Sequence, residues 1–334
     1  MRLSTLGIVI PCFNEQEVLR ETSARLIELM GKMREEGLIS PQSAIYYVDD
    51  GSRDGTWALI EALSQQHPEI CGIRLSRNFG HQNALLCGLM TAPGDMLISV
   101  DADLQDDLQV IPQMVRHYRQ GCDVVYGVRK QRDSDTFFKR WTAETYYRLM
   151  SAMKVDIVFN HADYRLLSRR ALQALSEYRE ANLFLRGLVR LLGFPSATVE
   201  YDRAERFGGE SKYPLRKMLS FAWQGVTSFS TAPLRLITTL GFVVSLISGA
   251  LALWGLGASL FFDHTLPGWT STVVPMYFLG GIQLLSLGVI GEYVAKIYME
   301  SKGRPRFHVD MLAGSISAPS TNLEGVGTQN IIRP

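Results

Sequence analysis

The sequence predicts an α/β domain with a mainly parallel sheet, followed by an interface helix and two membrane-spanning helices. Three observations lead there. Short β-rich runs alternate with helical stretches up to about residue 128; polar clusters sit where those runs end; and a nearly uncharged block extends from Leu236 to Gly291. Strand–helix alternation of this kind builds βαβ units and a parallel sheet.

The elements follow in order. β-rich runs occur at Leu6–Ile10, Ala44–Val48, Gly72–Leu75, Met96–Val100 and Asp123–Tyr126. Helical stretches between them are Glu15–Glu36, Asp54–Gln66, Gly80–Thr91 and Leu108–Gln120. Further on, helices fit Thr136–Met153 and Ser168–Tyr178, and Thr198–Tyr201 reads as a strand. A polar glycine-containing loop, Arg206–Tyr213, precedes Pro214–Ser230, whose apolar residues recur at helical spacing with Arg216 and Lys217 on the polar side. That pattern suits a helix in a membrane interface, with an ordinary amphipathic core helix as the alternative.

Composition sharpens this. The 334 residues hold 34 basic and 33 acidic side chains, a formal charge of +1 and a mean hydropathy of +0.03. The neutral balance argues against a whole-chain nucleic-acid binder. With 29 Gly, 13 Pro and 4 Cys, collagen and disulfide scaffolds are excluded too. The averages hide a split: the 56 residues of Leu236–Gly291 contain one formal charge, Asp263, and the other 278 residues carry 66. Leu236–Phe262 and Thr270–Gly291 are each long enough to cross about 30 Å of hydrocarbon at roughly 1.5 Å per residue; the alternative is a buried hairpin in a soluble core. Lys212, Arg216, Lys217 and Arg235 flank the first, and Lys296, Lys302, Arg304 and Arg306 follow the second, while Asp263–Trp269 has no Lys or Arg. The positive-inside rule then puts both ends in the cytosol. Cys12, Cys71, Cys87 and Cys122 are scattered, as in a reducing compartment. The N-terminus has no signal-peptide h-region. From Ala313 onward the Ser/Thr/Gly/Pro/Asn-rich chain reads as disordered.

Ligands of open α/β sheets bind outside the carboxyl ends of the strands. Asn14-Glu15, Asp49-Asp50-Gly51-Ser52 and Asp101-Ala102-Asp103 all sit at such ends. Positions i and i+2 of a strand share a face, so Asp101 and Asp103 can aim at one point. Two hard carboxylates suit Mg²⁺ or Mn²⁺, with diphosphate oxygens completing the shell. In Asp49–Thr56, Ser52 or Asp54 could cap a helix while the glycines make the turn. Two adjacent carboxylates could accept from the ring N–H of a base or from ribose hydroxyls.

Pro11-Cys12-Phe13-Asn14-Glu15, Asp49–Thr56 and Asp101-Ala102-Asp103-Leu104-Gln105-Asp106 resemble, in order and spacing, the GT-A-fold family 2 glycosyltransferases, whose catalytic domain is Rossmann-like. Asp163-Tyr164-Arg165-Leu166, Asn182–Gly187, Arg206–Tyr213, Gly291-Glu292-Tyr293 and Arg304-Pro305-Arg306-Phe307 are similar to the polyprenyl-phosphate branch, most of all its bactoprenol (undecaprenyl-phosphate) glucosyltransferases of O-antigen modification. Dolichol-phosphate mannosyltransferases and aminoarabinose transferases are relatives. Ala162 departs from the glycine that usually precedes Asp163.

The resemblance implies inverting transfer of a hexose, with glucose from UDP-glucose as the expected donor sugar, to undecaprenyl phosphate at the cytosolic face of a bacterial inner membrane. It implies a nucleotide-sugar site at Pro11, Asn14, Glu15, Asp49, Asp50, Ser52 and Asp101, with the Mg²⁺ or Mn²⁺ on Asp101 and Asp103. Gln105 would lie beside the metal, and Asp163 would be a base, an acceptor-orienting group, or a structural partner of Arg165. Arg129, Arg132, Arg206, Ser211 and Lys212 are candidates to hold the acceptor phosphate. Domain limits are expected at 1–212 (GT-A, cytosolic), 213–232 (interface helix), 233–299 (two spans) and 300–334 (tail, disordered after about 312). A bilayer, a homo-oligomer (a tetramer by resemblance) and no nucleic acid complete the expected partners. A processive synthase is disfavoured by the lack of Q-x-x-R-W, and a dinucleotide oxidoreductase by the lack of G-x-G-x-x-G after the first strand. A non-catalytic lipid-binding scaffold or transport component is the alternative of another class.

Overall fold

The computed structural model describes residues 3–130, 161–180, 183–202, 232–261 and 269–316. The chain divides into two compact units. One comprises residues 1–147, 156–212 and 304–334; the other comprises residues 148–155 and 213–303.

The first unit is built on one eight-stranded sheet. Its strands are β1 (Leu6–Cys12), β2 (Ala44–Asp49), β3 (Ile70–Leu75), β4 (Met96–Ser99), β5 (Val124–Arg129), β6 (His161–Ser168), β7 (Ser196–Tyr201) and β8 (Val309–Ala313), in the order β7-β5-β6-β4-β1-β2-β3-β8. The block β3-β2-β1-β4 is parallel, as is the pair β5-β7. β6 is antiparallel to both β4 and β5, and β8 is antiparallel to β3. The sheet is therefore mixed, more so than the alternation predicts. Helices α1 (Leu19–Glu35), α2 (Thr56–Gln66), α3 (His81–Thr91) and α4 (Ile111–Arg119) make the crossovers. Two short helices, α5 (Arg169–Ser176) and α6 (Leu185–Leu191), follow β6.

β1 is buried at every position because helices cover both faces, so it reads as an unbroken apolar run. Ile8 and Ile10 point into a cluster with Leu26 and Met30 of α1 and Ile98 of β4. Val9 points the other way, against α3. The approach there is close: a Cβ on Gly88 would lie 2.3 Å from Val9 Cγ1 and 2.7 Å from Val48 Cγ2. Gly88→Val is expected to lower stability by ~1–3 kcal/mol through overpacking, seen as a fall in thermal midpoint; an unchanged midpoint would disprove this packing.

Cys12, Cys71 and Cys87 are buried and Cys122 half-buried. Burial pushes the Cys71 thiol up to about 11 and the Cys87 thiol up to about 12, and raises Cys12 as well. Thiolate is the reactive form. Iodoacetamide at pH 8 should therefore label Cys122 well before the other three; equal labelling, read by peptide mass, would count against it.

Two elements escape the sequence reading. β6 contains Asp163 and Arg165, so it does not look like a central strand. It is buried because its alternation sends Tyr164 and Leu166 into the core and pairs Asp163 with Arg165 on the opposite face. β8 lies just ahead of the segment that reads as disordered, where no strand is expected. It extends the sheet to Ala313, and the described chain continues to Ile316. Phe307, buried in this unit, and Arg306, which donates to the Tyr178 carbonyl, anchor the strand.

The second unit holds α7 (Ala232–Phe261, 30 residues) and α8 (Trp269–Ser301, 33 residues). Among the described residues, Phe278–Ser301, 24 residues with a mean hydropathy of 1.5, is long and apolar enough to cross a bilayer. Leu284, Leu285, Leu287, Val294 and Ile297 of α8 and Leu236, Phe242 and Leu246 of α7 are exposed. The predicted helices Thr136–Met153 and Pro214–Ser230 lie outside the described residues.

Candidate active site

The loops after β1 and β2 are joined into one surface. Asn14 takes a left-handed φ of 57°, which Asn tolerates better than most residues. Its backbone N–H donates to Ser52 Oγ at 2.9 Å, and its Oδ1 accepts from the Arg53 N–H at 2.9 Å. The Glu15 N–H donates to Thr56 Oγ1 at 2.9 Å. Asp54 accepts from the Thr56 N–H at 3.0 Å and closes the start of α2. Pro11 lies within β1, opposite Val48. Gly51, at φ 67°, presses on the 77–78 backbone so closely that a Cβ would sit 2.6 Å from the Arg77 carbonyl carbon.

Asp49 and Asp50 then diverge. Asp50 accepts from the Phe79 N–H at 2.7 Å and the Gly80 N–H at 2.9 Å, so both its oxygens serve the entrance to α3. Burial raises its pKa and those two amides oppose the rise. Asp49 is fully buried and accepts from the Ser52 N–H at 3.1 Å. Its Oδ2 has no hydrogen-bond partner among the described residues, and Arg74 Nε stands 3.9 Å away. Burial raises Asp49 as well. Arg74 lies over the Trp57 ring and also approaches Asp310 of β8 at 3.9 Å. The C-terminal strand thus supports the arginine behind Asp49, a contact across 236 residues that no local pattern announces.

Asp101 and Asp103 lie past the end of β4, on a turn. Contrary to what their spacing predicts, they do not share a strand face, because the strand ends at Ser99 and Leu104 at φ 57° reverses the chain. The turn is pinned by Thr22 Oγ1, which donates to the Ala102 carbonyl at 2.9 Å, and by the Gln105 N–H, which donates to Asp103 Oδ1 at 3.2 Å. Burial pushes Asp101 up to about 6; His81 opposes this, while Asp106, Asp163 and Asp103 add to it. Among the described residues no three His, Cys, Asp or Glu side chains form a metal shell. Two hard carboxylates crowded by like charges still fit Mg²⁺ or Mn²⁺, which commonly bind one or two protein carboxylates and take substrate phosphates for the rest.

Next to this turn stands a second cluster. Asp163 is almost completely buried and receives Arg165 Nη2, Arg186 Nε at 3.3 Å, Arg186 Nη2 at 3.2 Å and Gln82 Nε2 at 3.1 Å. Burial opposes its charge, but Arg165 and Arg186 more than offset this and hold the carboxyl well below the usual carboxylate range. His81 Nε2 lies 3.7 Å from Asp101 Oδ1 and 3.8 Å from Asp163 Oδ2, joining the two clusters.

The predicted acceptor cations fare differently. Arg129 is matched within the protein: Nη2 reaches Asp106 Oδ1 at 3.2 Å and Nε reaches Tyr201 Oη at 3.0 Å. Arg132, Arg206, Ser211 and Lys212 lie outside the described residues. His81, Gln82 and Arg186 were missed. His81 opens α3 directly after Gly80, and Arg186 lies inside the Asn182–Gly187 segment.

Glycosyl transferase family 2 matches residues 7–176, just over half of the chain. The chain belongs to this family. YkoT of Bacillus subtilis, an uncharacterized glycosyltransferase, is 51% identical to this family 2 chain over 92% of it and 91% of the relative. The bactoprenol glucosyl transferase of Shigella phage SfV is 38% identical over 90% and 97%, and the prophage bactoprenol glucosyl transferase homolog of Escherichia coli K12 is 37% identical over the same shares.

Proposed function

We propose that this family 2 chain transfers glucose from UDP-glucose to a polyprenyl phosphate at the cytosolic face of a membrane. One observation carries the acceptor assignment. The similarity to the bactoprenol glucosyl transferases extends over 90% of the chain, leaving too few residues uncovered to exclude α7 and α8. A lipid-linked acceptor needs an enzyme that stays at the bilayer; α8, long and apolar enough among the described residues to cross one, and the 30-residue α7, with basic residues flanking the pair, support that reading. We assign both helices as spans, residues 1–212 as the cytosolic catalytic domain, 213–232 as the interface helix and 300–334 as a cytosolic tail. The glycines of the spans permit association into a homo-oligomer.

The chemistry follows from the site. Asp49, buried with an Oδ2 that lacks a hydrogen-bond partner among the described residues, lies beneath the nucleoside surface formed by Asn14, Glu15 and Ser52. Asp101 and Asp103 would hold the Mg²⁺ or Mn²⁺, which when bound neutralises charge on the departing diphosphate. Gln105 borders that turn. The acceptor, a phosphate monoester, is substantially ionised at pH 7, so attack at the anomeric carbon needs orientation more than proton removal. Asp163 suits that need: its carboxylate stays charged and holds Arg186, Gln82 and His81 in place.

Purified protein incubated with undecaprenyl phosphate, Mg²⁺ or Mn²⁺ and UDP-glucose, UDP-galactose, UDP-N-acetylglucosamine or GDP-mannose should give a glucosyl-lipid product by mass from UDP-glucose. Another hexose mass reassigns the donor; no product from any donor removes the reading.

A further inference from the structure

We propose that Arg186 receives the phosphate of the acceptor, resting on the transfer reading above. Its basis is a charge count in one cluster. Asp163 sits between two guanidinium groups, Arg165 and Arg186; the charge of Asp101, which also reaches Arg186, would be taken up by the metal in the transfer reading, so within the cluster one negative charge meets two positive ones.

Arg165 cannot deliver the surplus. Its side chain is 1% exposed, Nη2 is on Asp163, and Nη1 donates to the Leu185 carbonyl at 3.1 Å. Arg186 can, because its side chain is 41% exposed while its fork onto Asp163 fixes the guanidinium plane. That fork uses two of the five N–H donors of the group, and phosphate oxygens take arginine donors in the same bidentate manner. The positive charge of Arg129 is already matched by Asp106, and His81 lies between two carboxylates.

Position supports the same assignment. Asp101 and Asp163 each bring an oxygen within 4 Å of a single imidazole nitrogen. Arg186 therefore stands beside the donor's diphosphate site but is held by a different carboxylate. In-line displacement requires the attacking phosphate to approach from the side opposite the leaving diphosphate. Two anions of like charge need separate cations for this, and Arg186 supplies one of them. Preset by its buried partner, it would bind the phosphate with little loss of side-chain entropy.

The other source of phosphate chemistry is the donor itself, and the experiment separates the two. Full-length wild type, Arg186→Lys and Arg186→Gln, in bilayer discs, are assayed against undecaprenyl phosphate and against UDP-glucose. Binding of UDP-glucose with Mn²⁺, measured by calorimetry, reports whether each variant is folded. Arg186→Gln should raise the KM for undecaprenyl phosphate about 10- to 100-fold, the scale of lost charge-assisted hydrogen bonds, with UDP-glucose binding within twofold. Arg186→Lys, which keeps the charge but loses the fork, should fall between. Inorganic phosphate should compete with the lipid in wild type and weaken in both variants. An unchanged lipid KM, or a shift confined to UDP-glucose, overturns the assignment. If Arg186→Gln fails to bind nucleotide, Arg186→Lys decides by the same two KM values. No transfer by wild type removes the functional reading and this inference together, whereas normal lipid KM values in the variants remove this inference alone.

Discussion

Asp163→Ala is expected to lower stability by ~3–5 kcal/mol, the cost of leaving a buried charge without its partner. It should also reduce glycosyl transfer to background. Arg165 is 1% exposed, and the substitution would leave its guanidinium without a counter-charge; Arg186 and Gln82 would lose their anchor at the same time. Asp163→Asn tests charge apart from shape, since it keeps the volume and one acceptor. The pH dependence has a definite sign. The folded pKa of Asp163 is depressed, so its stabilisation is fully present above the unfolded value of about 3.9 and is lost as pH falls toward the folded value. The stability gap between wild type and Asp163→Asn should therefore be constant above about pH 5 and narrow in acid. Thermal midpoints across pH would check this; a gap that widened in acid, or none at neutral pH, would show that the Asp163–Arg165 contact does not carry the stability assigned to it.

Asp103→Ala is expected to cut transfer on the order of 10³-fold. A divalent ion at a developing diphosphate contributes several kcal/mol to the transition state, and each ~1.4 kcal/mol is tenfold in rate. The fold should survive, because Asp103 lies on a turn pinned independently by the Thr22–Ala102 hydrogen bond. Chelation of wild type with EDTA should give a loss of similar size, restored by Mn²⁺, and the variant should show little further response to chelator. Full transfer by purified Asp103→Ala would remove the metal assignment.

Legibility from sequence differed sharply between the two halves of the site. Gly80–Thr91 and Leu108–Gln120 were readable because their apolar spacing and breakers are local, and α3 and the α4 segment match them within a residue or so. Asp49, Asp50, Asp101 and Asp103 were readable because each pair closes an apolar run. Their separate duties were not. Asp50 serves two backbone amides some 30 residues away, while Asp49 faces Arg74, and that division depends on how the 77–80 loop packs on Gly51. The Asp163 cluster was legible in part: the pairing with Arg165, two residues on in the same strand, was readable, but His81-Gln82 and Arg186 come from distant segments.

The amino-acid sequence by itself determined the αβ alternation, the charge-poor block and the acidic residues at the strand ends. Those features rest on periodicity, hydropathy and residue chemistry, which act between near neighbours. Only the tertiary structure decided the rest. It inserted β6 antiparallel between β4 and β5, which places Asp163 beside Asp101. It returned β8 to the sheet edge, where Asp310 meets Arg74. It also matched Arg129 with Asp106 while leaving the surplus charge of the Asp163 cluster at Arg186. Charges separated by many residues acquire partners only when the chain brings them together and withdraws water from between them.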